Sequence, residues 1–131
     1  MIGEYLYIDK SAGRGRGVFT RQPIPARTVV ERSPVIVLSP ADTDIVDVTK
    51  LHNYIFNWGV HETRSCIALG YCSLYNHSYH PNCEYEMDYE SRQMAIITLC
   101  DIAPGAELFI NYNGRPDDQT PVWFDVKRKE A

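Results

Sequence analysis

With 131 residues the chain has room for one domain with a real core and little for a second, so residues 1–131 are expected to fold as a single unit. An apolar share of 44% without any run near the roughly 20 apolar residues of a membrane helix argues against a spanning protein; the start shows no basic stretch leading into an apolar one, which points to an intracellular, cytoplasmic location. The net charge of -4 argues against a protein that lives on nucleic acid phosphates and mildly favours basic partners.

Taken in chain order, the predicted elements are mostly strands. Glu4 to Ile8 reads as a short strand ending at Asp9-Lys10-Ser11. "GRGRGVF" then sets Gly13, Gly15 and Gly17 at alternate positions, a stretch whose main chain can approach a ligand closely. It matches neither the dinucleotide fingerprint between strand and helix nor a phosphate loop with its Lys, and a bare turn fits it equally well. Thr28 to Leu38 is rich in β-branched residues, with Pro34 marking a bend or an edge. From Asp42 to Trp58, the residues Ile45, Val48, Leu51, Tyr54 and Ile55 fit one face of a helix.

The second half carries a hairpin pattern. Glu84, Glu86, Asp88 and Glu90 alternate with Tyr85, Met87 and Tyr89, which places carboxylates on one strand face and aromatic and thioether groups on the other. "ESRQ" makes the turn, and Met94 to Leu99 returns. The acidic stripe reads equally as a solvated face or as a docking surface for a basic peptide, and Met87 as core. Pro104-Gly105 turns into a further apolar strand, and the polar tail after Tyr112 runs to the aromatic pair Trp123-Phe124.

The stretch "LYNHSYHPNC", residues 74–83, gathers Asn, His, Cys and Tyr and raises three possibilities: a metal site, a nucleophile or a small-molecule grip. His77, His80 and Cys83, with Cys72 as a fourth ligand, could form a tetrahedral zinc site. Pro81 breaks the helix that would align that spacing, and no second pair repeats it. Cys66, Cys72, Cys83 and Cys100 form no C-x-x-C pair and carry no nucleophile signature; Cys66, Cys72 and Cys100 read as small buried hydrophobes.

Three motifs share one explanation. Gly15-Arg16-Gly17-Val18-Phe19, then Asn76-His77-Ser78 with Pro81-Asn82, then Glu107-Leu108 through Tyr112 to Gly114, resemble in order and spacing the SET domain of protein lysine methyltransferases. The resemblance covers about residues 3–126 and implies a mainly β fold of several small sheets, a C-terminal pseudoknot and one or two short helices. It implies S-adenosyl-L-methionine as cofactor, with S-adenosyl-L-homocysteine as product, and no metal. Main-chain groups of Arg14, Gly15, Arg16 and Gly17, together with Asn76, His77 and Tyr112, would hold the cofactor, and Trp123 would cover the adenine.

By the same resemblance, Tyr112 stands at the point of methyl transfer, and Tyr85 joins it in the channel that admits a lysine of a protein or peptide. Ile110 and Phe124 are further channel candidates. The family's Tyr-x-Gly is replaced here by "ERSPVI", so Tyr54 or Tyr75 is expected to supply the missing wall. Tyr79 stands where many relatives have Cys, and no cysteine-rich tail follows Tyr112. Crowding by Tyr85 and Ile110 implies monomethylation. The rival reading is a catalytically inactive SET-like scaffold that binds peptide. A eukaryotic or viral source would move the expected location to the nucleus or chromatin, and the oligomeric state, a homodimer included, stays open.

Overall fold

The computed structural model describes residues 1–59 and 64–122. The strands are β1 (Leu6–Ser11), β2 (Gly15–Thr20), β3 (Val29–Leu38), β4 (Ile55–Trp58), β5 (Arg64–Ala68), β6 (Asn76–His77), β7 (Cys83–Asp88), β8 (Gln93–Thr98) and β9 (Glu107–Ile110). They form one sheet in the order β1-β2-β9-β6 and another in the order β4-β5-β3-β8-β7. The helix α1 covers Pro40–Asp47, and 3-10 turns cover Lys50–Tyr54 and Cys72–Leu74. No helix among the described residues is long and apolar enough to cross a membrane.

The first strand does not stop at Ile8. It continues to Ser11 because Asp9 and Lys10 pair outward with Gly17 and Arg16 while Ser11 turns inward, where its hydroxyl donates to Glu107 Oε1 at 2.6 Å. The turn is confined to Ala12-Gly13-Arg14, and the rest of the glycine stretch is strand.

In β3, Pro34 sits neither at an edge nor in an interrupted ladder. The strand pairs with β8 up to Pro34 and with β5 from Val35 onward, so the missing N–H falls where one partner hands over to the other. A register shift between Val29 and Glu31 leaves both Val30 and Glu31 buried.

The helix predicted over 42–58 is three elements instead. Ser39 caps α1 by accepting from the Asp42 N–H, with Pro40 at the first turn, and the helix ends at Asp47 with Val48 as its C-cap. Thr49 then accepts from the Leu51 N–H and starts the 3-10 turn. The apolar periodicity had no core to face: Ile45 is 65% exposed and Val48 87%. Ile55 and Phe56 gain more by joining the ladder opposite Ile67 and Cys66.

The predicted hairpin is present as β7 and β8, paired from Cys83 opposite Thr98 to Asp88 opposite Gln93. The two edge strands of the larger sheet meet through their side chains. Phe56 and Tyr85 rings lie 5.3 Å apart, and Trp58 meets Tyr89 edge-on at 4.8 Å, so the sheet curls around a hollow. Beneath it, Val18, Val30, Met94, Ile96, Leu108 and Ile110 are fully buried.

Candidate active site

The site begins with a short parallel pairing, Asn76 beside Phe109 and His77 beside Ile110, extended by the Ser78 N–H donating to the Ile110 carbonyl at 2.9 Å. Two residues of strand survive there because side chains supply the rest of the ladder. The Asn82 amide acts as a peptide surrogate: its Nδ2 donates to the Glu107 carbonyl at 2.8 Å, and its Oδ1 accepts from the Phe109 N–H at 2.7 Å. Pro81-Asn82 thus fixes the loop against β9.

Asn76 ties in the glycine hairpin. Its Nδ2 donates to the Arg16 carbonyl and to Glu107 Oε2, both at 2.8 Å. A Cβ at Gly17 would run into the Glu107 carboxylate and stand 2.9 Å from the Asn76 amide, so a larger residue there would push these two side chains out of place. Gly15, by contrast, has φ of 78° and nothing within 4 Å of where its Cβ would stand, leaving an open cradle beside Arg14. The Arg14 guanidinium lies over the Phe109 ring, 5.1 Å from its centre.

Tyr112 is reached from both sides. His77 Nδ1 accepts from the Tyr112 N–H at 3.0 Å, which orients the imidazole with Nδ1 as its acceptor, and the rings lie 5.2 Å apart. The Tyr112 hydroxyl donates to the Tyr75 carbonyl at 2.7 Å. Tyr112 also borders a cavity of about 660 Å³, lined among others by Tyr54, Phe56, Tyr85, Met87 and Tyr89. Tyr85 donates to the Tyr112 carbonyl at 3.4 Å, a long contact.

A model of the SET domain matches residues 15–113, well over half of the chain. The chain belongs to the SET domain family. A histone-lysine N-methyltransferase of Schizosaccharomyces pombe, named as specific for lysine 37 of histone H3, is 33% identical over 132 aligned positions that span 100% of this chain and 84% of that protein. The crystal structure of a Plasmodium falciparum protein assigned as a candidate histone methyltransferase superposes with a TM-score of 0.65 at 26% identity, covering 85% of this chain and 95% of the other. This SET domain is a protein-lysine methyltransferase, and SET methyltransferases use S-adenosylmethionine as methyl donor.

Within the SET fold, the expected site residues fall into two groups that share Tyr112. Arg14, Gly15, Arg16, Gly17, Asn76 and His77 gather around β6, whereas Tyr54 and Tyr85 line the cavity. Two expectations need correction. Tyr75 does not wall the channel with its ring: the side chain is fully buried and its hydroxyl donates to Glu31, so only its carbonyl reaches Tyr112. Ile110 is fully buried and absent from the cavity lining, because β9 alternation turns it, like Leu108, into the core. Met87, expected in the core, is half-buried and lines the cavity. Trp123 and Phe124 lie outside the described residues.

The zinc alternative does not assemble. Cys72 points its thiol at Glu31 while His77 serves Tyr112, and no three metal-ligating side chains gather among the described residues. Burial pushes the Cys66 thiol up to about 11 and those of Cys72 and Cys83 higher still, which keeps them protonated and poor nucleophiles. Cys100 is exposed, so the expectation that it is buried fails.

Sequence reasoning missed Glu31, which is fully buried. A signal was available: Glu31 shares strand parity with Ser33 and Val35, both buried. It also missed Phe109 as the surface under Arg14.

Proposed function

We propose that this chain methylates a lysine in a basic, histone-like protein tail, with S-adenosylmethionine bound on the β6 side of Tyr112 and the lysine entering through the aromatic cavity. What carries the reading is the position of Tyr112, joined to His77 on one side and bordering the cavity on the other. The histone class of substrate comes from the two relatives, and it implies work in the nucleus.

The residues present fit the cofactor. Gly13 and Gly15 have φ of 72° and 78° with open space where a Cβ would stand, so main-chain groups of Arg14 to Gly17 can lie directly against a ligand. The Asn76 amide is committed to Arg16 and Glu107, and the His77 Nδ1 to Tyr112, so these two side chains shape the wall of the cradle. Trp123 is assigned to cover the adenine, and Phe124 to the channel wall. When bound, S-adenosylmethionine supplies an electrophilic methyl on a cationic sulfur.

The protein's task is then alignment without covalent chemistry. Tyr54, Phe56 and Tyr85 wrap the lysine stem and exclude water. An ordinary lysine pKa is about 10.4, and desolvation beside a cation lowers it, which frees the amine lone pair. The Tyr112 hydroxyl and the Tyr75 carbonyl stand together at 2.7 Å, where they orient the amine and stabilise the partial positive charge on the methyl.

The test is titration calorimetry with S-adenosylhomocysteine, followed by methyl transfer onto histone tails. Saturable binding with turnover that Tyr112→Phe removes supports the reading. Binding without turnover on any lysine-bearing protein would leave an inactive peptide-binding scaffold, and no binding at all would defeat the cofactor assignment.

A further inference from the structure

We infer that Glu31 is a positioning residue for methyl transfer, acting through Tyr75 on Tyr112; the inference rests on the catalytic reading of Tyr112 given above. Glu31 is fully buried at the start of the larger sheet's central strand, where a carboxylate carries a large desolvation cost unless donors surround it. Four do. Oε1 accepts from the Tyr75 hydroxyl at 2.9 Å, and Oε2 accepts from the Ser33 hydroxyl at 2.7 Å, the Tyr71 N–H at 2.8 Å and the Cys72 thiol at 3.4 Å.

Three of those donors belong to the segment that leads into β6. Gly70, at φ of 68°, lies so close that a Cβ there would strike the Glu31 carboxylate and the Ser33 hydroxyl, so the chain is folded directly onto this side chain. Tyr75 is consequently fixed at both ends. Its hydroxyl is anchored on a residue 44 positions earlier, and its carbonyl receives the Tyr112 hydroxyl at 2.7 Å.

An apolar side chain of similar volume would fill the space under residues 70–75, and buried charge is in general weak evidence of stabilisation. What an apolar group cannot supply is direction. Hydrogen bonds to one rigid carboxylate set where the Tyr75 peptide points, and that peptide holds the phenol at the site of transfer. Because burial and the nearby Glu31 push the Tyr75 phenol well above its ordinary range, it stays a donor throughout the working pH range.

The experiment compares the full chain with Tyr75→Phe and Glu31→Gln, using Tyr112→Phe as reference, each assayed well below its own melting temperature. Tyr75→Phe removes one hydroxyl and keeps the packing, so it remains informative if Glu31→Gln fails to fold. The readouts are kcat, KM for both substrates, and the fluorine resonance of 3-fluorotyrosine placed site-specifically at position 112. Tyr75→Phe is expected to lower kcat about tenfold with KM nearly unchanged and to shift or broaden that resonance, as small misplacements at a reacting centre do. A Tyr75→Phe protein with reduced melting temperature but wild-type kcat and an unmoved resonance overturns the inference, leaving Glu31 a purely structural group. Should Tyr112→Phe prove as active as wild type, the catalytic reading falls and the inference with it. An inactive Tyr112→Phe beside a fully active Tyr75→Phe removes the inference alone.

Discussion

Asn76 and Arg16, 60 residues apart, are joined by a 2.8 Å hydrogen bond from the Asn76 amide to the Arg16 carbonyl. The same Nδ2 holds Glu107 at 2.8 Å, so one amide locks the glycine hairpin, β6 and β9 into a single wall. Asn76→Ala is expected to weaken S-adenosylhomocysteine binding by at least about tenfold and to lower stability by about 1–3 kcal/mol, because it leaves the Glu107 carboxylate short of a donor. Calorimetry and urea unfolding on the same preparation separate the two effects.

Removal of the Tyr112 hydroxyl should cost turnover and spare the cofactor. Tyr112→Phe keeps the ring against His77 but leaves the Tyr75 carbonyl without its donor. A loss in kcat of about a hundredfold is expected, with S-adenosylhomocysteine affinity nearly unchanged. Single-turnover methyl transfer measures the first quantity and calorimetry the second; equal losses in both would mean that the phenol serves binding.

Asn82 replaces two ladder contacts of β9 with its own amide. Asn82→Ala should therefore destabilise the protein by about 2 kcal/mol, since a donor and an acceptor of β9 lose their partner. The expected observation is a lower urea midpoint with an unchanged slope. A midpoint equal to wild type would show that water satisfies both groups.

The acidic stripe divides by role. Glu84 pairs with Arg27 at 3.1 Å, while Asp88 accepts from the Ser91 N–H at 3.0 Å and the Glu90 N–H at 3.1 Å, which holds its carboxyl below the ordinary 3.8. A carboxyl lowered in the folded state contributes stability above its ordinary pKa and loses it as the pH falls through the lowered value. The stability difference between wild type and Asp88→Asn should accordingly be present at neutral pH and vanish in acid below that value. Parallel unfolding series at pH 7 and pH 2 check the sign.

Product number depends on the room around the amine. With Ile110 in the core, crowding falls to Tyr85, whose hydroxyl stands 3.2 Å from where a Cβ on Gly114 would be. Monomethyl-lysine is expected to dominate, and Tyr85→Phe to raise the share of higher products. Intact-mass analysis reads the distribution directly; mostly trimethylated product from the wild type would sink this expectation.

The motifs were legible because each is a local arrangement of residue types at fixed spacing. Asn76-His77, Pro81-Asn82 and Glu107 to Tyr112 named the family, and alternation between Glu84 and Tyr89 placed the β7–β8 hairpin, since a strand's two faces are written in consecutive residues. The segment from 42 to 58 was misread for the converse reason. Its periodicity satisfied a helix, but whether an apolar face meets a core depends on β5 arriving beside Ile55 and Phe56, which no local pattern records.

By itself the sequence determined the family and the strand-rich architecture, and it named the residues proposed for a cofactor cradle and a transfer tyrosine. The tertiary structure alone decided which groups face which. It turned the ring of Tyr75 and the side chain of Ile110 into the core, buried Glu31 under the approach to β6, and curled the larger sheet until Phe56 met Tyr85. Facing is set by strand register, by the shift between Val29 and Glu31, and by pairings between distant segments. These contacts become favourable only when the whole chain closes its core, so a single stretch of residues carries no record of them.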